Sequence, residues 1–335
     1  MNTSRYFQKF VSYGVILAAS FTLLMGGMNQ FYKYQAKAAT EMPVNELKEV
    51  SLEELEKITN LVDKKEVKKN FKRLVKFQRV SGTKENKAAG KYIFDTVKGY
   101  GYDVIFQDFN GYDEKFNDLH GNINKNQKKE KVLFKGRNII VKRKKPNPKF
   151  KTVIFSARYD SRKNSIGALD NAGGTAAVME MARILADMEL TYNPEFVFFD
   201  SENLRRGSRH YVEKLSKTEK ENIYGAVNIN CIGNNKQRKP TFFASSDKKE
   251  NPLWTQCNEY FPSVIGDQTT ETDAVTFENE KIPSACYFTL DFFTKSEREI
   301  GDKFVFEKDA SLIDMDTLIY DTAFITTYAT MLKVK

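Results

Sequence analysis

The segment Thr152-Val-Ile-Phe155 is followed by Gly173-Gly-Thr-Ala-Ala-Val-Met-Glu-Met-Ala-Arg-Ile-Leu185 and then by Glu195-Phe-Val-Phe-Phe199. The first and last of these segments are apolar at nearly every position, which is typical of strands that are buried on both faces. The middle segment carries its apolar residues at the period of a helix. A strand, a helix and a second strand in this order predict a parallel sheet, and this unit decides the fold class.

The rest of the chain continues this alternation. Apolar residues at helical spacing predict two amphipathic helices within residues 44–78 and further helices at Lys87–Tyr100, Arg206–Leu215 and Asp316–Met331. Strands are predicted at Tyr102–Phe109, Asn138–Val141, Gly225–Cys231 and Ser284–Phe288, with a polar loop at Asn110–Lys131 between the first two. We therefore expect a three-layer α/β fold with a mostly parallel, doubly wound sheet.

The first 38 residues indicate export. A basic start with Arg5 and Lys9 precedes the apolar stretch Val11–Met28, and Ala36-Lys37-Ala38 resembles a signal-peptidase site. The apolar stretch is also close to the length that spans a bilayer, so residues 1–38 are either a signal peptide or an N-terminal membrane anchor. In both cases we expect residues 39–335 to form a secreted or extracytoplasmic domain.

The chain is basic, with a formal net charge of +9. Much of the basic excess lies between Lys125 and Lys151, where it would meet an anionic cell-surface polymer or lipid headgroups, or would form a solvated loop. This run lacks the interleaved aromatic residues of a single-stranded nucleic-acid site, so we expect no nucleic-acid partner. A membrane contact is expected through the N-terminal segment only. The three cysteines predict no disulfide framework.

Ligands of an open α/β sheet bind where loops leave the carboxyl ends of the strands. Four distinctive segments stand at these positions: Ser156-Ala-Arg-Tyr-Asp-Ser161, Gly167-Ala-Leu-Asp-Asn-Ala-Gly-Gly174, Phe198-Phe-Asp-Ser-Glu-Asn-Leu-Arg-Arg-Gly-Ser208 and Asn228-Ile-Asn-Cys-Ile-Gly233. In this order and spacing they resemble the two-zinc aminopeptidases of peptidase clan MH, which share their zinc-exopeptidase, phosphorylase/hydrolase-like fold with glutaminyl cyclases and the transferrin receptor ectodomain. Arg79-Val-Ser-Gly-Thr83 is similar to an early motif of the same family. The resemblance covers about residues 65–333.

The resemblance implies a site with two zinc ions. Two histidines and three carboxylates typically hold the metals, one carboxylate bridges them, and a further glutamate is the general base. The metals lower the pKa of a shared water and polarise the scissile carbonyl, while the glutamate takes the water's proton.

Of two metal-ligand positions in the first two motifs, this chain keeps one and has lost the other. Arg158 stands where the family has its first histidine ligand, although Asp160, which would orient that histidine, is kept. Asp170 matches the bridging aspartate, with Asn171 following it as in the family pattern. The resemblance therefore implies that the bridging carboxylate survives without its first histidine partner.

The remaining positions are largely substituted. Ser201 occupies the position of the general base, Glu202 keeps a ligand position, and Asn230 replaces a ligand aspartate. Ala274 stands at a second histidine position, and Val305 matches the last histidine in a weaker alignment. The two histidines of the chain, His120 and His210, lie outside the family's ligand motifs, and we expect them to be surface or core residues.

Removing two cations from a pocket of carboxylates leaves buried negative charge, which costs on the order of several kcal/mol unless it is compensated. We expect the guanidinium of Arg158 to compensate it by lying among Asp160, Asp170 and Glu202. This arrangement is either purely structural or part of a pocket that binds a peptide or glycan without cleaving it. We accordingly predict a pseudopeptidase with no cofactor.

Two alternatives remain at this stage. Asp170 and Glu202, with Asp160, would suit one hard cation, and a rewired zinc aminopeptidase would use the same two retained ligands. Ser201 and Cys231 have no evident histidine partner to activate them as nucleophiles. The second alternative is a surface interaction or assembly factor whose basic run and N-terminal helices form the interface.

Overall fold

A computed structural model describes residues 49–112, 132–163, 165–201, 205–234, 241–244, 251–260, 272–288 and 309–334. Contacts divide the chain after Lys48, and all described residues belong to the second unit. The predicted division into residues 1–38 and 39–335 stays a prediction.

The described helices are α1 (Glu49–Leu61), α2 (Lys64–Leu74), α3 (Lys84–Gly99), α4 (Gly173–Leu185), α5 (Arg206–Lys214), α6 (Lys217–Asn222), α7 (Pro252–Tyr260), α8 (Ala274–Asn279) and α9 (Met315–Met331). A π-helical turn, Ala168–Ala172, in which Asp170 and Asn171 have non-helical backbone angles, precedes α4, and a 3₁₀ turn, Asp309–Leu312, precedes α9.

The strands form one seven-stranded sheet in the order β1-β2-β4-β3-β5-β7-β6. They are β1 (Asp103–Tyr112), β2 (Val132–Lys142), β3 (Thr152–Arg158), β4 (Asn193–Phe199), β5 (Ile223–Ile229), β6 (Thr241–Ala244) and β7 (Ser284–Phe288). The four central strands β4, β3, β5 and β7 are parallel, whereas β1, β2 and β6 are antiparallel to their neighbours. The predicted α/β class is confirmed.

Alternating side chains assign the two faces of the sheet. Ile154 and Val197 lie in a buried cluster with residues of α5 and α8. On the opposite face Phe155 stacks on Phe196, with ring centroids 6.0 Å apart. There the hydroxyl of Tyr102 donates to a carbonyl of α4 and that of Tyr192 to a carbonyl of α9. Both faces of the central strands are therefore covered, as their apolar sequences require.

Two strand predictions needed correction. β1 and β2 run past the predicted limits Phe109 and Asn138, because backbone pairing continues into polar residues such as Asn110 opposite Lys135. The ends of the predicted loop Asn110–Lys131 thus belong to strands, and residues 113–131 lie outside the described residues. β6 was not predicted, because its four residues are too few to show a period.

Buried Asp321 of α9 gives the fold a pH-dependent contact. Its carboxylate accepts hydrogen bonds from the backbone N–H of Gly233 at 2.8 Å and from the hydroxyl of Tyr287 at 3.2 Å. Burial raises the pKa of Asp321 to about 7, although both hydrogen bonds act to lower it. As pH rises from 4 to 7 the unfolded chain loses this proton first, so the folded state loses stability in that window.

We expect Asp321→Asn to remove this pH dependence. The gain in free energy of unfolding over the wild type should grow by on the order of 1 kcal/mol per pH unit between about pH 4 and 7. Urea unfolding at several pH values checks this, and a gain that does not change with pH would show that the carboxyl ionises normally.

Candidate functional site

The residues singled out from the sequence gather at the carboxyl edge of the parallel strands. β3 ends at Arg158, which lies beside Phe199 at the end of β4. Asp160, Ser201 and Asn230 follow β3, β4 and β5, and Asp170 lies in the π-helical turn before α4. Ala274 is the first residue of α8 and is buried. Glu202 and Val305 lie outside the described residues.

Arg158 lies against the bridging-aspartate position. Its Nε donates to Asp170 Oδ1 at 2.8 Å, and its Nη2 donates to the Asp170 carbonyl at 2.9 Å and forms an ion pair with Oδ2. Nη1 lies 3.6 Å from Asp160 Oδ1. The guanidinium is 1% exposed, so these charge-assisted contacts form in a medium that screens them weakly. The expected contacts with Asp160 and Asp170 are present.

Asp170 stays ionised because of this contact. Burial acts to raise the pKa of Asp170, but the charge and hydrogen bonds of Arg158 outweigh it, and the pKa lies below its usual value. Arg162 adds a weaker contact, with Nη2 3.9 Å from Oδ2. The Asp170 side chain is 33% exposed, so part of it remains accessible to solvent.

The turn that carries Asp170 is fixed by its neighbour. The peptide bond between Asp170 and Asn171 is cis. Asn171 Nδ2 donates to the Ile229 carbonyl at 2.7 Å, and its Oδ1 accepts from the N–H of Cys231 at 3.2 Å. These bonds join the π-helical turn to the loop that follows β5.

Gly174 permits this connection between the π-helical turn and the loop after β5, because it has no side chain. A Cβ at Gly174 would stand 2.3 Å from Asn171 Oδ1 and 2.7 Å from the Ile229 carbonyl oxygen. We expect Gly174→Ala to lower the free energy of unfolding by about 3 kcal/mol, because backbone must shift to admit the methyl group.

Gly99→Ala is the matched control for this prediction. A Cβ at Gly99 meets no atom within 4 Å. Alanine at this helical position should be neutral or stabilise the protein by up to about 1 kcal/mol. Urea unfolding measures the free energy of unfolding of both variants. Equal values would contradict the close contact of Gly174 with Asn171 and Ile229.

Two further carboxylates lie beside the site. Asp200, directly after β4, accepts from Ser81 Oγ at 2.6 Å and Asn86 Nδ2 at 3.2 Å. Ser81 Oγ also lies 3.5 Å from Asp160 Oδ2. Burial, with the charge of Asp160, raises the pKa of Asp200 to about 7. The Ser81 hydroxyl therefore lies between the carboxylates of Asp160 and Asp200.

Asp273 is the second of these carboxylates. It is 1% exposed, and burial raises its pKa to about 7, with a smaller contribution from Asp160 and opposing ones from Ser208 and Arg158. Within the described part of the chain its Oδ1 has no hydrogen-bond partner. Neither Asp200 nor Asp273 was predicted from the sequence as a site residue. For Asp200, its position directly after β4 was the available signal.

The other predicted positions carry weak chemistry. Ser201 is buried with a backbone φ of 60°, and Asn230 accepts a contact from Cys231 Sγ at 3.5 Å. Cys231, Cys257 and Cys286 are buried thiols. His210 lies on α5 against Phe109, with ring centroids 5.5 Å apart, and burial lowers its pKa. His120 lies outside the described residues.

Among the described residues, the donor atoms at the site do not fit a pair of zinc ions. Both carboxylate oxygens of Asp170 face the Arg158 guanidinium, Asn230 offers an uncharged amide, and Ala274 offers no ligand atom. Within the described residues no three histidine, cysteine or acidic side chains lie close enough to hold a metal ion.

The fold and these motifs define a family. Peptidase family M28 matches residues 138–311, which is just over half of the chain, and the protein belongs to this family.

Relatives with similar sequences include proteins named as aminopeptidases. Aminopeptidase YwaD of Bacillus subtilis (strain 168) is 31% identical over 156 residues, which are 44% of this chain and 34% of the relative. Leupeptin-inactivating enzyme 1 of Streptomyces exfoliatus is 29% identical over 154 residues, 43% of this chain and 34% of the relative. The matched part of the chain thus spans about a third of the length of these relatives.

Solved structures share the fold across most of the chain. A zinc aminopeptidase from Bacillus subtilis superposes with a TM-score of 0.67 at 18% identity, covering 80% of this chain and 94% of that chain. A glutaminyl cyclase from Porphyromonas gingivalis superposes with a TM-score of 0.63 at 18% identity, covering 80% and 98%. The predicted resemblance to aminopeptidases and glutaminyl cyclases is confirmed at the level of family and fold.

None of the helices in the described ranges has both the length and the apolar composition needed to cross a bilayer. Residues 1–48, which carry the predicted signal peptide or anchor, lie outside those ranges.

Proposed function

We propose that this M28 family member is an exported pseudopeptidase whose cleft binds a peptide or another cell-surface ligand without cleaving it. The observation that carries the proposal is the contact between Arg158 and Asp170. A permanent side-chain cation stands where the resemblance implies a metal ligand.

The guanidinium neutralises charge but cannot replace zinc as a catalyst. A bound metal polarises a carbonyl and lowers the pKa of its water as a Lewis acid. The guanidinium has N–H donors and no vacant coordination position, and its pKa lies too high for it to exchange protons near neutral pH. Its chemistry therefore supports electrostatic structure and binding rather than activation of water.

The position of the general base supports the same conclusion. A serine hydroxyl at position 201 does not accept a proton near neutral pH as a glutamate does. Asn230 and Ala274 remove a charged and a neutral metal ligand. Hydrolysis would need both the metal and the base, and these substitutions affect both.

The cleft retains groups that suit binding. Asp170 is 33% exposed at its side chain, and the neighbouring Arg162 is 38% exposed. A carboxylate and a guanidinium side by side fit the amide or hydroxyl groups of a peptide or glycan.

Export is supported by the N-terminal sequence. The basic start, the apolar stretch Val11–Met28 and Ala36-Lys37-Ala38 together form a signal-peptide pattern. The proposal does not depend on whether the segment is cleaved or stays in the membrane.

Metal content and turnover test the proposal together. We expect inductively coupled plasma mass spectrometry of the purified protein to find substoichiometric zinc, and a panel of aminopeptidase substrates to show no turnover after zinc addition. Stoichiometric metal with turnover that Glu202→Ala abolishes would instead establish a rewired aminopeptidase. The Glu202→Ala variant separates activity of this chain from a contaminating peptidase.

A further inference from the structure

Helix α2 presents a strongly basic surface. Its eleven residues include six basic side chains and one acid, Glu66. Val67, Phe71 and Leu74 form its buried side, and all six basic residues are exposed. Helix α2 is therefore amphipathic, with an apolar buried side and a cationic exposed side.

Helix α3 extends the same surface. The hydroxyl of Tyr92 on α3 donates to Asn70 on α2 at 2.6 Å, and the guanidinium of Arg73 lies over the Tyr92 ring at 5.7 Å. Both helices contact α4. Together they carry ten exposed basic residues, the basic helical face: Lys64, Lys65, Lys68, Lys69, Lys72, Arg73, Lys84, Lys87, Lys91 and Lys98.

This charge is largely uncompensated. Glu66 pairs with Lys69 at 2.9 Å, and Asp95 pairs with Lys91 at 2.6 Å. Glu85 is the remaining acid of these two helices. Four lysines of α2 form no ion pair with any residue of the described ranges, namely Lys64, Lys65, Lys68 and Lys72.

Large apolar side chains are exposed beyond both ends of α2. Phe77, after its last turn, is 53% exposed, and the ammonium of Lys76 lies 5.4 Å from the centre of its ring. Leu61, before its first turn, is 45% exposed. Phe77 is thus an aromatic ring directly beside the cationic side chains.

We propose that the basic helical face docks on the surface of an anionic lipid bilayer. Lipid phosphates would pair with the lysines, and the ring of Phe77 would enter the interface between headgroups and acyl chains. A soluble polyanion would use the lysines but would gain little from Phe77 and Leu61, so the exposed apolar residues favour a bilayer. This contact goes beyond the proposed function, and it adds to the membrane contact expected through the N-terminal segment.

Vesicle binding by the full-length protein tests this docking. The variant replaces the four unpaired lysines Lys64, Lys65, Lys68 and Lys72 by glutamine, which preserves helix propensity. The matched control replaces four exposed lysines that lie outside both the basic helical face and the basic run between Lys125 and Lys151 by glutamine: Lys214, Lys217, Lys281 and Lys333. Sedimentation is measured with phosphatidylcholine vesicles that contain or lack phosphatidylglycerol, at low and high salt.

We expect the α2 variant to lose on the order of a hundredfold in its partition onto anionic vesicles, because each basic residue near the surface contributes to attraction. The control should lose less than about tenfold, and high salt should abolish the difference. The N-terminal segment is identical in the wild type and both variants, so a difference in partition between them reports the substituted lysines. Thermal unfolding of both variants verifies that each one folds.

Three results would overturn the docking. The first is an equal loss in the α2 variant and the control, which would reflect net charge rather than this face. The second is an unchanged partition of the α2 variant. The third combines two observations: the protein binds inorganic polyphosphate as tightly as anionic vesicles, and Phe77→Ser does not change its partition onto the vesicles. This result would assign the face to a soluble polyanion.

Discussion

Replacing Arg158 by methionine should lower the free energy of unfolding by about 3 kcal/mol at pH 7, because it leaves Asp170 and Asp160 without their buried cation. Methionine keeps much of the apolar volume, so the loss reports charge rather than a cavity. The loss should shrink as pH falls below about 4, because the stabilising pair itself is lost when Asp170 takes up a proton. Urea unfolding at pH 7 and at acidic pH measures both effects.

Arg162 provides the control for this prediction. It approaches the same carboxylate at 3.9 Å but is 38% exposed at its side chain. Arg162→Met should therefore cost less than about 1 kcal/mol. The double variant Arg158→Met with Asp170→Asn should recover part of the lost stability, and a double variant less stable than Arg158→Met would contradict charge compensation.

Replacing Arg79 by methionine should cost about 4 kcal/mol or more. The guanidinium is 1% exposed and donates to the carbonyl oxygens of Leu74, Tyr159, Ile166 and Gly167. Each buried oxygen that loses its donor costs about 1–3 kcal/mol. The variant should also admit trypsin after Arg162 or Lys163, because Arg79 holds both ends of that loop.

Arg73→Met is the control, since Arg73 is exposed and stacks on Tyr92. We expect a loss below about 1 kcal/mol and no new cleavage. Arg79→Lys separates charge from geometry, because one ammonium cannot reach the four carbonyls that the planar guanidinium spans. Full stability of Arg79→Lys would show that charge matters more than the fixed directions of the donors.

The central sheet could be predicted because its strands are buried on both faces. The hydrophobic pattern is nearly continuous in Glu195–Phe199 and Thr152–Phe155, so it identifies them as buried strands. Helix α4 has the predicted bounds. The outer strands were harder to predict. β1 and β2 continue through polar residues whose backbone pairing leaves no mark in the hydrophobic pattern.

Some residues of the candidate site could likewise be predicted from the sequence, and others could not. Arg158 and Asp170 could be paired from the sequence, because motif spacing places both at the carboxyl edge of the sheet and opposite charges attract there. The roles of Asp200 and Asp273 could not be predicted, since their raised pKa values arise from burial that becomes evident in three dimensions. Likewise, a sequence does not reveal that Arg79 binds carbonyl oxygens rather than an acid.

The contact between Arg158 and Asp170 has a consequence for how the protein matures. A cation that belongs to the polypeptide is present as soon as the chain is synthesised, and no chelator can withdraw it. A cleft organised in this way would reach its final shape whether metal is abundant or scarce in its surroundings. Its availability for binding would then follow the amount of protein made rather than the supply of an external ion.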